Sequence, residues 1–117
     1  MKWLVALLMT SAMWQGAAAG EEIDSSPTLS RIASAGEITI GHRTSEAPFS
    51  YLVNDQPTGY AIDLCLNVIE GLEETLGLGD LKVNYVPVTP ANRFILVRNG
   101  EVDIECGVTT NTPERRR

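Results

Sequence analysis

The stretch GYAIDLCLNVIEGLEETLGLGDLKVNYVP, residues 59–87, decides the fold class. Ile62, Cys65, Leu66, Ile69, Leu72 and Leu76 recur three and four positions apart, while Glu70, Glu73 and Glu74 fall on the other side. This is the 3.6-residue period of an amphipathic helix with one face turned to a core. Gly77 and Gly79 close it, because glycine accepts the left-handed turn that ends a helix. The period then drops to two: Leu81, Val83 and Tyr85 alternate as a strand, and Pro87 stops it. A long helix feeding a short strand predicts an α/β domain with a parallel sheet.

The flanking sequence continues the alternation. Ser26-Pro27 reads as a helix start, serine as N-cap and proline at the first helical position. Leu29, Ile32 and Ala33 give that helix a short apolar face, and Gly36 ends it. Glu37 to Gly41 reads as a strand with Ile38 and Ile40 inward, leaving into a loop at His42-Arg43. Phe49 to Val53 with the turn Asn54-Asp55-Gln56-Pro57 predicts a hairpin excursion. Downstream, Ala91 to Arg98 reads as a short helix closed by Asn99-Gly100. Val102, Ile104 and Cys106 form another short strand, running into the polar loop Thr109-Thr110-Asn111-Thr112-Pro113. Pro113-Glu114-Arg115 opens one more helical turn, and a sheet of three or so strands keeps an open edge, which reads as a fragment.

The N-terminus reads as an export signal. Lys2 supplies the positive charge, Trp3 to Trp14 the apolar run, and Ala17-Ala18-Ala19 the small-residue cleavage pattern, with cleavage near Ala19. A membrane-spanning helix needs ~20 apolar residues, and this run breaks at Gln15-Gly16. The expected division is therefore a signal peptide at 1–19, a polar lead-in at 20–27 and one folded unit at 28–117. The whole chain has 117 residues and a formal charge of −6. Residues 20–117 carry 15 acidic and 8 basic side chains. That acidic balance argues against nucleic acid as a partner, since phosphate binding needs a basic face.

In an open parallel sheet, ligands bind at the carboxyl ends of the strands. Three segments reach such ends: Gly41-His42-Arg43, Thr89-Pro90-Ala91-Asn92-Arg93, and Gly107-Val108-Thr109-Thr110 followed by Arg115. Arginine forks grip carboxylates through two parallel bonds. Three of them at one edge of an acidic chain point to a small ligand with more than one carboxylate; the alternative is ordinary surface ion pairing. Phe49 and Tyr51 serve equally as a pocket wall or as core. Cys65 and Cys106 can form a disulfide after export or lie as two buried thiols. Sequence supplies no Cα separation, so the balance tips only slightly to the thiols and Cys65–Cys106 stays a possible disulfide. One histidine and no Cys-x-x-Cys give no metal-site spacing. No Gly-x-Ser-x-Gly elbow, phosphate loop or carboxylate pair indicates catalysis.

Taken in order, Gly59-Tyr60-Ala61-Ile62-Asp63-Leu64, Gly41-His42-Arg43, Pro48-Phe49-Ser50-Tyr51, Val88-Thr89 with Asn92-Arg93, Asn99-Gly100, and Glu105-Cys106-Gly107 with Thr109-Thr110-Asn111 resemble a known pattern. It is that of the periplasmic solute-binding proteins of amino-acid ABC importers, family 3, most closely the glutamate/aspartate-binding branch. The resemblance spans roughly residues 28–117. It implies part of lobe one of a type II, Venus-flytrap fold, with the second lobe absent. It further implies an amino-acid ligand, inner-membrane permease subunits as partners of the full-length protein, a periplasmic monomer and no cofactor. Arg115 matches the arginine that clamps the ligand α-carboxylate, with Thr110 beside it. Arg43 and Arg93 match cations facing the side-chain carboxylate, and Thr109 lies in the same segment. Val108 and Pro90 stand where the branch carries hydroxyl residues.

The function expected is thus binding of glutamate or aspartate for import, with no enzymatic activity. The competing readings are an exported enzyme on the same fold, dehydratase- or peptidoglycan-lyase-like, and a non-functional truncated product. Half a cleft leaves its ligand in water, so this stretch alone is expected to bind weakly or not at all.

Overall fold

A computed structural model describes residues 26–117. The expected leader at 1–19, and the lead-in up to residue 25, lie outside the described residues.

Helix α1, Pro27–Ala35, begins where the sequence predicts: Ser26 Oγ accepts from the Leu29 N–H at 3.4 Å, with Pro27 at the first position. Gly36, at φ 66°, ends it in the left-handed conformation. Strand β1, Glu37–His42, follows at once and becomes the centre of a three-stranded parallel sheet, order β5-β1-β6. Its partners are β5, Lys82–Pro87, and the short β6, Ile104–Cys106. Ile40 sits level with Tyr85 on one side and Ile104 on the other, so the three carboxyl ends emerge together.

A second, antiparallel sheet, β2-β3-β4, leaves from the loop after β1. It consists of Ser45–Glu46, Ser50–Val53 and Gln56–Thr58. Asn54 and Asp55 turn β3 into β4 with φ of 50° and 62°, the paired positive values of a tight hairpin turn, which asparagine and aspartate tolerate. Helix α2, Tyr60–Leu76, returns the chain to the main sheet. Helix α3, Arg93–Arg98, is shorter than the predicted Ala91–Arg98. Residues 90–92 form a turn ahead of it. The Asn92 Oδ1 accepts from the Thr89 N–H at 2.8 Å, and Thr89 Oγ1 accepts from the Asn92 N–H at 3.3 Å. This reciprocal pairing closes 89–92 into one turn that leads directly into the helix.

The core gathers Ile32, Ile38, Ile40, Ile62, Cys65, Ile69, Leu81 and Cys106 from α1, α2 and the strands. Leu66, expected on the buried face of α2, is exposed, because the stripe that meets the sheet narrows to Ile62, Cys65 and Ile69. Glu73, expected outward, instead accepts the Leu81 N–H at 2.6 Å and so fixes the entry to β5. Asp103 accepts from the Thr39 N–H at 2.9 Å and pairs with Arg31, tying α1, β1 and the approach to β6.

Of the two readings left for the cysteines, the slightly favoured thiol one is overturned: Cys65 and Cys106 form a disulfide, their Cα atoms 6.3 Å apart. Their burial in the same core is the reason, since one is on the inner face of α2 and the other at the end of β6.

Gly59 starts α2 at φ 123°, and a Cβ there would stand 2.5 Å from the Phe49 carbonyl oxygen. Both the conformation and the close approach require glycine. Gly59→Ala is expected to destabilise the fold by roughly 3 kcal/mol, measured by urea denaturation. A loss below about 0.5 kcal/mol would contradict this packing.

Candidate functional site at the carboxyl ends of the parallel strands

The site begins where β1 ends. Ser50, fully buried, accepts the Arg43 N–H at 3.0 Å, so the hairpin fixes the backbone from which Arg43 departs. The Arg43 guanidinium donates to Glu46 Oε1 at 2.8 Å. Arg43 is therefore already neutralised by the chain's own carboxylate. Its stem runs over Gly107: a Cβ at Gly107 would lie 3.1 Å from Arg43 Cγ and collide with Glu105 Oε1. A side chain there would displace the Glu105 carboxylate tip and press on the Arg43 stem.

Arg93 departs from the capped turn after β5 and is buried. Its Nε is shielded from water with no hydrogen-bond partner among the described residues. The Arg93 guanidinium carbon lies 5.0 Å from the centre of the Phe94 ring, and that of Arg115 lies 5.8 Å from the same ring. Arg115 belongs to a 3₁₀ turn, Pro113–Arg116, and donates to the Thr110 carbonyl at 2.9 Å. Among the described residues, neither Arg93 nor Arg115 has a carboxylate within ion-pair distance. The structure thus brings Arg93 and Arg115 together around one aromatic ring and sets Arg43 apart, with Glu46.

The Thr109 hydroxyl donates to Glu105 Oε2 at 2.9 Å, while Glu105 Oε1 is buried and unpaired. Thr110 contributes its carbonyl to Arg115. Phe49 is exposed, and its carbonyl accepts from the Ala61 N–H at 2.8 Å, so its backbone helps start α2. Tyr51 is half-buried and lies opposite Thr58 in the hairpin. Neither aromatic is among the core residues of the main sheet. Sequence singles out neither Glu46 nor Phe94, and gives Glu105 only as part of the Glu105-Cys106-Gly107 resemblance, with no role. Glu46 had a readable signal, three positions after Arg43; Glu105 and Phe94 acquire their neighbours only through tertiary contacts.

Chemically, two guanidinium groups at the mouth of a parallel sheet, with no counter-charge among the described residues, can receive carboxylates. Among the described residues no group of three His, Cys, Asp or Glu side chains is placed to hold a metal ion. No helix among them is long and apolar enough to cross a membrane.

The family description that matches residues 38–117 is that of the bacterial extracellular solute-binding proteins, family 3. The chain belongs to this family. An L-glutamate/L-aspartate-binding protein of Pseudomonas aeruginosa is 50% identical over 92 residues, taking in 77% of this chain and 30% of that protein. A glutamate/aspartate import solute-binding protein of Escherichia coli is 44% identical over 91 residues, again 77% of this chain and 30% of that protein. The family 3 chain therefore spans 30% of the length of these curated relatives. Among solved structures, an ancestral amino-acid-binding protein, a precursor of cyclohexadienyl dehydratase, superposes with a TM-score of 0.64 at 32% identity. That match covers 76% of this chain and 37% of the other. The L-cysteine solute receptor of Neisseria gonorrhoeae superposes with a TM-score of 0.62 at 31% identity, covering 74% and 34%. The fold is α/β, part of a lobe of the type II periplasmic-binding-protein architecture seen in this family.

Proposed function

We propose that residues 28–117 supply one wall of the ligand cleft in a receptor for an acidic amino acid, glutamate or aspartate. The receptor acts in the periplasm as a monomer and delivers its ligand to an ABC permease. The observation that carries this reading is the pair Arg93 and Arg115. Both stand at the carboxyl end of the sheet with no carboxylate of the described residues in ion-pair range, and Arg93 is buried in that state. A buried guanidinium lacking a counter-anion is costly unless a ligand supplies one. Arg115 is assigned to the ligand α-carboxylate, with Thr109 and Thr110 beside it. Arg93 is assigned to the side-chain carboxylate, with Arg43 joining it once released from Glu46. Phe49 and Tyr51 wall the hairpin side.

Relatives named as glutamate/aspartate-binding proteins support the ligand class. They also support a receptor over an exported enzyme. Calorimetry of the complete gene product tests the reading. Saturable heat is expected with L-glutamate or L-aspartate, and at least tenfold weaker binding with L-glutamine and L-asparagine, as about 1.4 kcal/mol of lost arginine–carboxylate contact dictates. No heat with either acid from folded protein would overturn it.

A further inference from the structure

We propose that Phe94 is a positioning residue: its ring braces Arg93 and Arg115 so that both forks are presented to an acidic ligand. This rests on the acidic-amino-acid reading of the site. Phe94 is a large apolar side chain that stays half exposed on a six-residue helix and lies outside the main core. Its ring is within about 6 Å of both guanidinium carbons, the range in which a cation is held by the negative face of an aromatic ring.

The contact with Arg93 joins sequence neighbours. That with Arg115 joins α3 to the 3₁₀ turn 21 positions on, and so fixes two segments relative to each other. The choice of an aromatic brace has a chemical consequence. A carboxylate partner, as Glu46 is for Arg43, occupies the N–H groups that a ligand needs. A ring attracts the cation through its face and leaves the N–H groups in the guanidinium plane free for a carboxylate. It also limits the rotamers of two long side chains before the ligand arrives, so less freedom is lost on binding.

The test compares Phe94→Leu, which keeps apolar bulk and removes the π face, with Phe94→Trp, which restores it. In the complete gene product, the L-glutamate dissociation constant is expected to rise about five- to tenfold in F94L, two exposed cation–π contacts being lost. It should return to within about twofold of wild type in F94W. Without ligand, the Nε–Hε resonances of Arg93 and Arg115 should show ring-current displacement in wild type and F94W. In F94L they should lose it. Arginine resonances unchanged in F94L, or F94L binding L-glutamate as tightly as wild type, would overturn the brace. If the wild-type protein takes no L-glutamate, the acidic-ligand reading fails, and the ligand-free resonances still decide the role of Phe94.

Discussion

Replacing Cys65 and Cys106 together with alanine, or reducing the pair, is expected to destabilise the described unit by about 4 kcal/mol. The disulfide closes a loop of 41 positions, and the chain-entropy relation for that length gives this figure. For a domain of this size the melting temperature should fall by roughly 15–30 °C. Topology concentrates the effect. Strand β6 has three residues, lies at the edge of its sheet and pairs only over Ile40–Ile104, Gly41–Glu105 and His42–Cys106. The disulfide ties its end to α2, a helix anchored by Ile62 and Ile69 in the core.

Loss of the bridge should therefore raise amide exchange first in β6 and in Gly107–Thr110, the segment leading to Arg115. Thermal unfolding with and without reductant, beside hydrogen exchange, checks both halves. Alanine is preferred to serine, because a buried hydroxyl without a partner adds its own cost. A change below about 0.5 kcal/mol would mean the strand pairs alone hold the edge.

The disulfide also shows where sequence reading stopped. The elements that set the architecture are legible because each carries a period. Ile38 and Ile40 alternate, Ile62, Cys65 and Ile69 recur at helical spacing, and all five are buried in one core. Turn chemistry was equally local at Ser26-Pro27, Gly36 and Asn54-Asp55. Pairings between distant elements have no period. Cys65 and Cys106 needed a Cα separation, and Phe94 needed the position of a turn 21 residues away. Within α2, Leu66 and Glu73 went astray for a related reason. Periodicity gives a face, and only the neighbouring sheet decides how wide that face is and which polar tip finds an N–H to cap. The arginines were found by type and by position after strands. Which of them the protein neutralises for itself became visible only in Arg43 and Glu46.

Arg93→Met is expected to abolish binding of acidic amino acids while leaving the unliganded protein as stable as wild type or more so. Arg93 is 8% exposed, and its buried Nε has no acceptor among the described residues. An unsatisfied buried donor costs about 1–3 kcal/mol, and more where the group is charged. The Phe94 ring, 5.0 Å from the guanidinium carbon, returns only part of that. Methionine fills a similar volume with a flexible apolar chain and removes the uncompensated charge. The melting temperature should therefore hold or rise, by the equivalent of about 1 kcal/mol.

Binding should move the opposite way. Loss of a charge-assisted pair of about 3 kcal/mol weakens L-glutamate by at least a hundredfold. Arg93→Lys tests geometry apart from charge. Lysine is a point charge without the planar fork, so about tenfold weaker binding is expected. Arg115→Lys should instead weaken acids and amides alike, since the α-carboxylate is common to both. Paired melting and calorimetry on each variant separate the possibilities. A core residue loses stability on replacement, whereas a group held ready for a ligand gains stability as it loses function. A clear fall in melting temperature for R93M, with L-glutamate binding retained, would make Arg93 part of the scaffold.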